Sequence, residues 1–126
     1  MKTIVTAALA VFSLLSCAQS GSGHLNPAEF KAAMAQPEAV VVDVRTPAER
    51  EQGYIEGSAN IDWNSGTLLD KMSATDKDAP VLIYCASGGR SNMAMEALHK
   101  AGFTNVQDLA GGMRAWTADK HPILKP

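Results

Sequence analysis

Apolar and polar residues alternate along the chain in blocks that predict short strands separated by helices. Residues 39–44 and 81–84 are nearly continuous apolar runs rich in β-branched side chains, the pattern of strands buried on both faces of a parallel sheet. Residues 106–109 predict a last strand, although two polar residues weaken its periodicity, and residues 59–62 predict a minor one. Strands and helices in this alternating order predict one α/β domain with a central parallel sheet flanked by helices.

Capping residues indicate where the first two helices begin. Asn26 is followed by Pro27, a favoured N-cap residue before proline at the first helical position. Thr46 and Pro47 repeat this pattern, and Glu49 completes a predicted capping box. Apolar spacing predicts further helices closer to the carboxyl terminus. The two capped helices are predicted to run from Pro27 to about Ala35 and from Pro47 to a stop at Gly53, and two further short helices cover residues 68–72 and 113–118.

Length, charge and composition exclude several classes of protein. The chain has 126 residues, which suits one domain with a modest core. Its net charge of −2 gives no electrostatic reason to expect a nucleic acid partner. The histidines His24, His99 and His121 are scattered without a second ligand at metal-like spacing, so no metal site is predicted. No nucleotide-binding glycine pattern is present, and no cofactor is implied.

The amino-terminal residues have the pattern of an export signal. Lys2 precedes an apolar run over residues 4–15 that is too short to span a bilayer comfortably. The run ends L-L-S-C at Cys17, which resembles the lipobox of bacterial lipoproteins, although Leu15 stands where a smaller residue is more usual. The resemblance implies a lipoprotein-type signal peptide over residues 1–16 and lipid attachment at Cys17.

The expected location follows from this assignment. Residues 17–23 would provide the lipid attachment and a flexible tether, and residues 24–126 the folded domain. We expect the domain on the periplasmic side of a bacterial membrane, with the outer membrane favoured because Ala18 is not acidic. The alternatives are a secretory signal cut near Ala18, which would give a soluble periplasmic protein, and an uncleaved anchor. With Cys17 lipidated, Cys85 would be an unpaired thiol in an oxidising compartment, which suggests a reactive role.

The main candidate for chemistry is Cys85, which ends the predicted strand 81–84. The loop C-A-S-G-G-R follows, and its amides precede a helix, so they should favour negative charge, lower the pKa of the Cys85 thiol and make it a nucleophile. Gly88 and Gly89 are predicted to turn with positive φ, and Arg90 supplies a permanent cation. The plain alternative is a core cysteine that ends a strand. The residues predicted to share one face of the following helix are Ala94, Ala97, Leu98 and Ala101.

Three motifs together resemble the rhodanese-like (sulfurtransferase) domain family. They are D-V-R-T-P-A-E-R-E-Q-G-Y-I-E-G-S-A-N-I over residues 43–61, C-A-S-G-G-R over residues 85–90 and L-A-G-G-M-R-A-W over residues 109–116. The three occur in the family's order and spacing. Tyr54 and Glu56 depart from the family pattern, which usually has His and Pro there. The resemblance implies a single rhodanese-like α/β domain.

The same resemblance implies a sulfurtransferase. In this family the loop cysteine takes a sulfane sulfur from a small anionic donor such as thiosulfate, holds it as a persulfide and passes it to a thiophilic acceptor. Cys85 would carry the sulfur. Asp43 and Arg45 resemble family residues that brace the site, with a purely structural role as the alternative. The residues implied to bind the donor or the transferred sulfur are Ala86, Ser87, Gly88, Gly89 and Arg90.

The sequence also bears on functions other than sulfur transfer. Phosphatases that share the fold carry one more residue between cysteine and arginine, whereas four residues separate Cys85 from Arg90, the shorter form that suits sulfur. Two alternatives stay open: a non-catalytic rhodanese-like binding module and a sulfur carrier for a periplasmic partner. Binding modules of the family commonly lack the cysteine that this chain has. We expect a monomer.

Overall fold

The computed structural model describes residues 23–126. The predicted signal peptide, Cys17 and nearly all of the predicted tether lie outside the described residues, so export and lipid attachment stay predictions. Within residues 23–126, no helix is both long enough and apolar enough to cross a membrane.

The described part of the chain contains one sheet of five short parallel strands. The strands are β1 (Gly23–Leu25), β2 (Val40–Asp43), β3 (Ser58–Asn60), β4 (Val81–Tyr84) and β5 (Val106–Leu109). They lie in the order β1-β5-β4-β2-β3, with every neighbouring pair parallel. All four residues of the central strand β4 are buried, which explains why that strand is apolar without alternation. The predicted central parallel sheet is confirmed.

Helices cover both faces of the sheet. They are α1 (Pro27–Ala33), α2 (Pro47–Glu51), α3 (Leu68–Lys71), α4 (Gly89–Lys100) and α5 (Gly112–Ala118), and a short 3-10 helix lies at Trp63–Ser65. Phe30 of α1 and Trp116 of α5 belong to the core on one face, whereas Leu68 of α3 and Leu98 of α4 belong to the core on the other. The strands are therefore buried from both sides, as the predicted α/β class requires.

Both predicted N-caps are present. The Asn26 side chain accepts the N–H of Glu29, and the Thr46 hydroxyl accepts the N–H of Glu49. Each glutamate side chain accepts the N–H of its N-cap residue in return, so both helices begin with a capping box. The two helices end earlier than predicted, α1 at Ala33 and α2 at Glu51.

Two strand boundaries differ from the sequence prediction. Strand β3 is Ser58–Asn60 rather than residues 59–62, because the Asp62 side chain accepts the N–H of Asn64 and caps the 3-10 helix. Gly23, predicted as the end of the tether, pairs with Gln107 in the sheet. The domain therefore begins at least one residue earlier than predicted.

The buried face of α4 also differs from the prediction. Ala94 and Leu98 are buried as expected, but Ala101 is exposed because α4 ends at Lys100. Met95 and Ser91 are buried on this helix instead. Burial of the polar Ser91 side chain requires hydrogen-bond partners, which the Gly88 carbonyl and Asp108 provide.

Candidate active site

Cys85 follows the last residue of β4, in the loop that leads to α4. Its side chain is buried, with 1% of the residue exposed. Gly88 precedes α4 with a φ of 111°, a conformation that glycine adopts without the Cβ penalty of other residues. Gly89 is the first residue of α4, lacks a positive φ and has open space where a Cβ would lie. The predicted need for glycine is therefore correct at Gly88 and wrong at Gly89.

Backbone amides turn towards the Cys85 sulfur. The N–H of Gly88 donates to Sγ at 3.1 Å, and the amides of Ser91 and Ser87 also act on the sulfur. Burial raises the pKa of the Cys85 thiol, but hydrogen bonds around the sulfur, including those from these amides, outweigh it, so the pKa lies below its ordinary value of 9.0. A lowered pKa favours the thiolate, the nucleophilic form of the side chain.

The beginning of α5 holds the loop from the other side. The N–H of Met113 donates to the Cys85 carbonyl at 2.8 Å, and the N–H of Arg114 donates to the Ala86 carbonyl at 3.1 Å. A Cβ on Gly112 would lie 2.4 Å from the Cys85 carbonyl oxygen, so a side chain there would displace the backbone. Gly112 of the L-A-G-G-M-R-A-W motif therefore allows the beginning of α5 to pack against the loop.

Arg90, the last predicted residue of the loop, is bound by Glu49 of α2. Its Nη1 and Nη2 donate to Oε1 and Oε2 of Glu49 at 2.7 and 2.8 Å. This bidentate pair lowers the pKa of Glu49 from 4.5 to about 2. Arg90 thus ties the loop to α2, while its predicted role in binding an anionic donor stays a prediction. The sequence identified Glu49 only as a capping residue.

Asp43, the last residue of the neighbouring strand β2, forms a buried ion pair with Arg45, which follows the strand. Arg45 donates to both carboxylate oxygens of Asp43, from Nε at 3.0 Å and from Nη2 at 2.9 Å. Arg50 donates to the same carboxylate at 3.2 Å. The Arg45 guanidinium lies 5.5 Å from the ring centroid of Tyr84, the residue before Cys85. The pair therefore contacts the end of β4 rather than the sulfur.

Ser91, Asp108 and His24, which the sequence did not assign to the site, form a hydrogen-bonded chain that starts beside the sulfur. Ser91 Oγ is 3.6 Å from Sγ and donates to Asp108 Oδ2 at 2.8 Å. Asp108 Oδ1 is hydrogen-bonded to His24 Nδ1. One feature of the sequence indicated this group: Asp108 is a charged residue in a predicted strand, and a charge that becomes buried needs buried partners.

A cleft of about 280 Å³ opens beside the loop. Ala86, Arg45 and Arg114 line it, and none of its lining residues in the described part of the chain is acidic. Its charge therefore favours a small anion. Among residues 23–126, no group of three His, Cys, Asp or Glu side chains is placed to hold a metal ion.

The fold and the loop together define a class of protein, an α/β domain that presents a cysteine within an amide-lined loop. Residues 26–119 match the family described as Rhodanese-like domain. The chain belongs to the rhodanese-like domain family, and the family resemblance inferred from the three motifs is confirmed.

Curated relatives and solved structures agree with this assignment. A protein named Sulfurtransferase from Allochromatium vinosum is 39% identical over 87 residues, covering 69% of this chain and 79% of that protein. Thiosulfate sulfurtransferase GlpE from Stutzerimonas stutzeri is 38% identical over 90 residues, covering 71% and 81%. The crystal structure of a rhodanese-related protein from Thermoplasma volcanium has a TM-score of 0.73 at 30% identity, covering 83% of this chain and 100% of that one.

Proposed function

We propose that this protein is a sulfurtransferase that receives a sulfane sulfur from a small anionic donor such as thiosulfate and holds it on Cys85. The observation that carries the proposal is the environment of the sulfur. Cys85 is 1% exposed, yet its thiol pKa is lowered by surrounding donors that include the Gly88 amide at 3.1 Å. Preorganised donors in a site from which water is excluded stabilise charge during reaction. The names of the relatives support the same class of enzyme.

The proposed reaction consists of two displacements. The Cys85 thiolate attacks the sulfane sulfur of thiosulfate, a new S–S bond forms, and sulfite leaves with the electron pair of the donor's S–S bond. The terminal sulfur of the resulting persulfide carries negative charge, and the amides of residues 86–90 are its proposed partners. A thiophilic acceptor then attacks that sulfur, and Cys85 leaves as a thiolate. The cycle needs no cofactor.

The cleft beside the loop supports an anionic donor. Arg45 lines it, but the charge of this residue is already paired with Asp43. Arg114 is exposed on α5 and lines the same cleft, so it is the cation that we propose attracts the donor. Its N–H also donates to the Ala86 carbonyl, which places this residue directly against the loop.

An intact-mass measurement tests the proposal. The chain carrying Cys17→Ser keeps Cys85 as its one thiol, because the sequence has two cysteines. After incubation with thiosulfate we expect a mass gain of one sulfur atom that cyanide reverses and that the additional substitution Cys85→Ser abolishes. No gain with thiosulfate and none with polysulfide would contradict the proposal and favour a binding module.

We also propose that the site works on the periplasmic side of a bacterial membrane, to which a lipid on Cys17 anchors the domain. Support comes from the L-L-S-C sequence that ends at Cys17 and from the polar residues after it. Incorporation of labelled palmitate by the full chain, lost on Cys17→Ser, is the expected result. Absence of label from the unsubstituted chain would contradict the anchor.

A further inference from the structure

The Cys85 sulfur ends a hydrogen-bonded chain that begins at the protein surface. Ser91 lies next to the sulfur, Asp108 accepts from Ser91, and His24 is bonded to the other oxygen of Asp108. Ser91 and Asp108 are buried, whereas the His24 side chain is 57% exposed. The chain therefore connects a solvent-exposed imidazole to a sulfur that solvent barely reaches.

The Ser91 hydroxyl has one hydrogen and three possible acceptors. The Asp108 carboxylate is at 2.8 Å, the Gly88 carbonyl at 3.1 Å and the Cys85 sulfur at 3.6 Å. A charged acceptor at the shortest distance forms the strongest of these bonds. While an ionised Asp108 holds the hydrogen, Ser91 presents only lone pairs to the sulfur and cannot stabilise a thiolate.

We propose that Asp108, held by His24, directs the Ser91 hydroxyl and thereby decides whether Ser91 stabilises the Cys85 thiolate. Beside a neutral His24, the Asp108 carboxylate keeps the Ser91 hydrogen. A cationic His24 satisfies the carboxylate more fully, so the hydroxyl can turn to the sulfur. Asp108 and His24 are positioning residues in this scheme. The inference deepens the proposed function and rests on it, because the sulfur beside Ser91 is the one that would carry the transferred atom.

The other charged groups of this region are Arg90 and the carboxylates that act on it. Arg90 of α4 is close enough that a thiolate at Cys85 helps to raise the pKa of the guanidinium, whose largest partner is Glu49 of α2. Asp62, which caps the 3-10 helix, acts on the same guanidinium. With its pKa at about 2, Glu49 keeps its charge at mildly acidic pH, and an arginine stays cationic. Histidine is a side-chain type that can be neutral or cationic in proteins, so His24 is the member of the chain that a substitution should test.

Alkylation of Cys85 by iodoacetamide at different pH values tests this inference without any sulfur transfer. The protein is the full chain carrying Cys17→Ser, in which Cys85 is the one thiol. Asp108→Asn removes the charge at nearly constant shape, so Ser91 can donate to the sulfur. We expect alkylation at pH 6 to become faster by about three- to ten-fold, because reactivity follows the thiolate fraction. A purely structural Asp108 predicts the opposite, since a loosened loop would lose donors to the thiolate.

A second variant acts in the other direction. His24→Gln keeps a polar side chain on the edge strand but cannot become cationic, so Asp108 should hold the Ser91 hydrogen at every pH. We expect alkylation about two- to five-fold slower at pH 6 and unchanged at pH 8. His121→Gln is the matched control, because His121 forms the other histidine–aspartate pair, with Asp119 at 2.7 Å. This control should leave the profile unchanged.

A double-substitution cycle separates the hydroxyl from a direct charge effect. If Asp108 acts through Ser91, Asp108→Asn should no longer accelerate alkylation once Ser91→Ala is present. Acceleration that persists in full in that background would overturn the inference, as would an unchanged or slower rate for Asp108→Asn alone. If circular dichroism shows that Asp108→Asn does not fold, the alkylation rate of His24→Gln tests the inference instead. A His24→Gln rate at pH 6 equal to that of the unsubstituted histidine would overturn the inference. Alkylation that behaves as expected in a protein that gains no sulfur would reject the proposed function alone.

Discussion

Two buried aspartates lie on the strands that flank β4, and their hydrogen bonds differ in kind. Asp43 on β2 is opposite Tyr84, and Asp108 on β5 is opposite Ile83. Around Asp43, the guanidinium groups of Arg45 and Arg50 donate to the carboxylate, to backbone carbonyls and to a serine hydroxyl. Beside Asp108, the Ser91 hydroxyl has one hydrogen and three possible acceptors. We call these groups the Asp43 cluster (Asp43, Arg45, Arg50, Ser58 and Tyr84) and the Asp108 chain (Cys85, Ser91, Asp108 and His24).

The difference arises from the partners rather than from the aspartates. An arginine is always charged and brings five N–H donors, so two of them hold the Asp43 carboxylate in one arrangement. A serine brings a single hydrogen and a histidine can be neutral or cationic, so we propose more than one arrangement for the Asp108 chain. The Asp43 cluster is therefore suited to holding the fold. In the proposed scheme, the arrangement of the Asp108 chain depends on His24.

The largest expected effect is on the Asp43 cluster. Asp43→Asn leaves the buried Arg45 guanidinium and the partly exposed Arg50 guanidinium without a carboxylate. Removing one partner of a buried ion pair costs about 3–5 kcal/mol of unfolding free energy. Urea unfolding measures this loss. Asp70→Asn, at an exposed position on α3, is the control and should change stability by less than about 0.5 kcal/mol. A loss below about 1 kcal/mol for Asp43→Asn would mean that the cluster does not hold the fold.

A smaller effect is expected at the amides that face the sulfur. Gly88→Ala forces a non-glycine residue to a φ of 111°, which costs about 1–3 kcal/mol and disturbs the amide that donates to Sγ. We expect lower stability and slower alkylation of Cys85 at pH 6. Gly89→Ala is the matched control, because its Cβ would enter open space in an ordinary helical conformation. Equal behaviour of the two variants would show that the turn at Gly88 is unimportant for the thiolate.

The smallest effect is expected where the ion pair of Glu49 and Arg90 links α2 to the loop. Glu49→Gln should lower stability by about 1 kcal/mol or less at neutral pH, because both side chains remain partly exposed. The pKa of Glu49 is lowered in the folded protein, so its contribution is complete above about pH 4.5 and is lost as the pH falls towards about 2. Urea unfolding should therefore show a difference from the unsubstituted protein that narrows over this range. A constant difference from pH 7 to pH 2 would contradict the assignment to charge.

Much of the fold and part of the site were predictable from the sequence. The apolar run of β4 and the N-caps at Asn26 and Thr46 were identified correctly, because capping and strand burial are visible in neighbouring residues. The position of Cys85 before a glycine turn was also predicted, because the loop C-A-S-G-G-R is continuous in the sequence. Gly89 was wrongly treated like Gly88, since adjacent glycines look alike in a sequence although only one of them adopts a positive φ.

The sequence by itself determined the class of fold, the family and the identity of the candidate nucleophile. Only the tertiary structure decided which side chains lie around that nucleophile and which partners bind them. Arg90 meets Glu49 across 41 positions, and His24 meets Asp108 across 84. These partners depend on the strand order β1-β5-β4-β2-β3, which places the first strand beside the last. Capping and periodicity are interactions between near neighbours in the chain, whereas the partners of a buried polar group are set by which strands lie side by side.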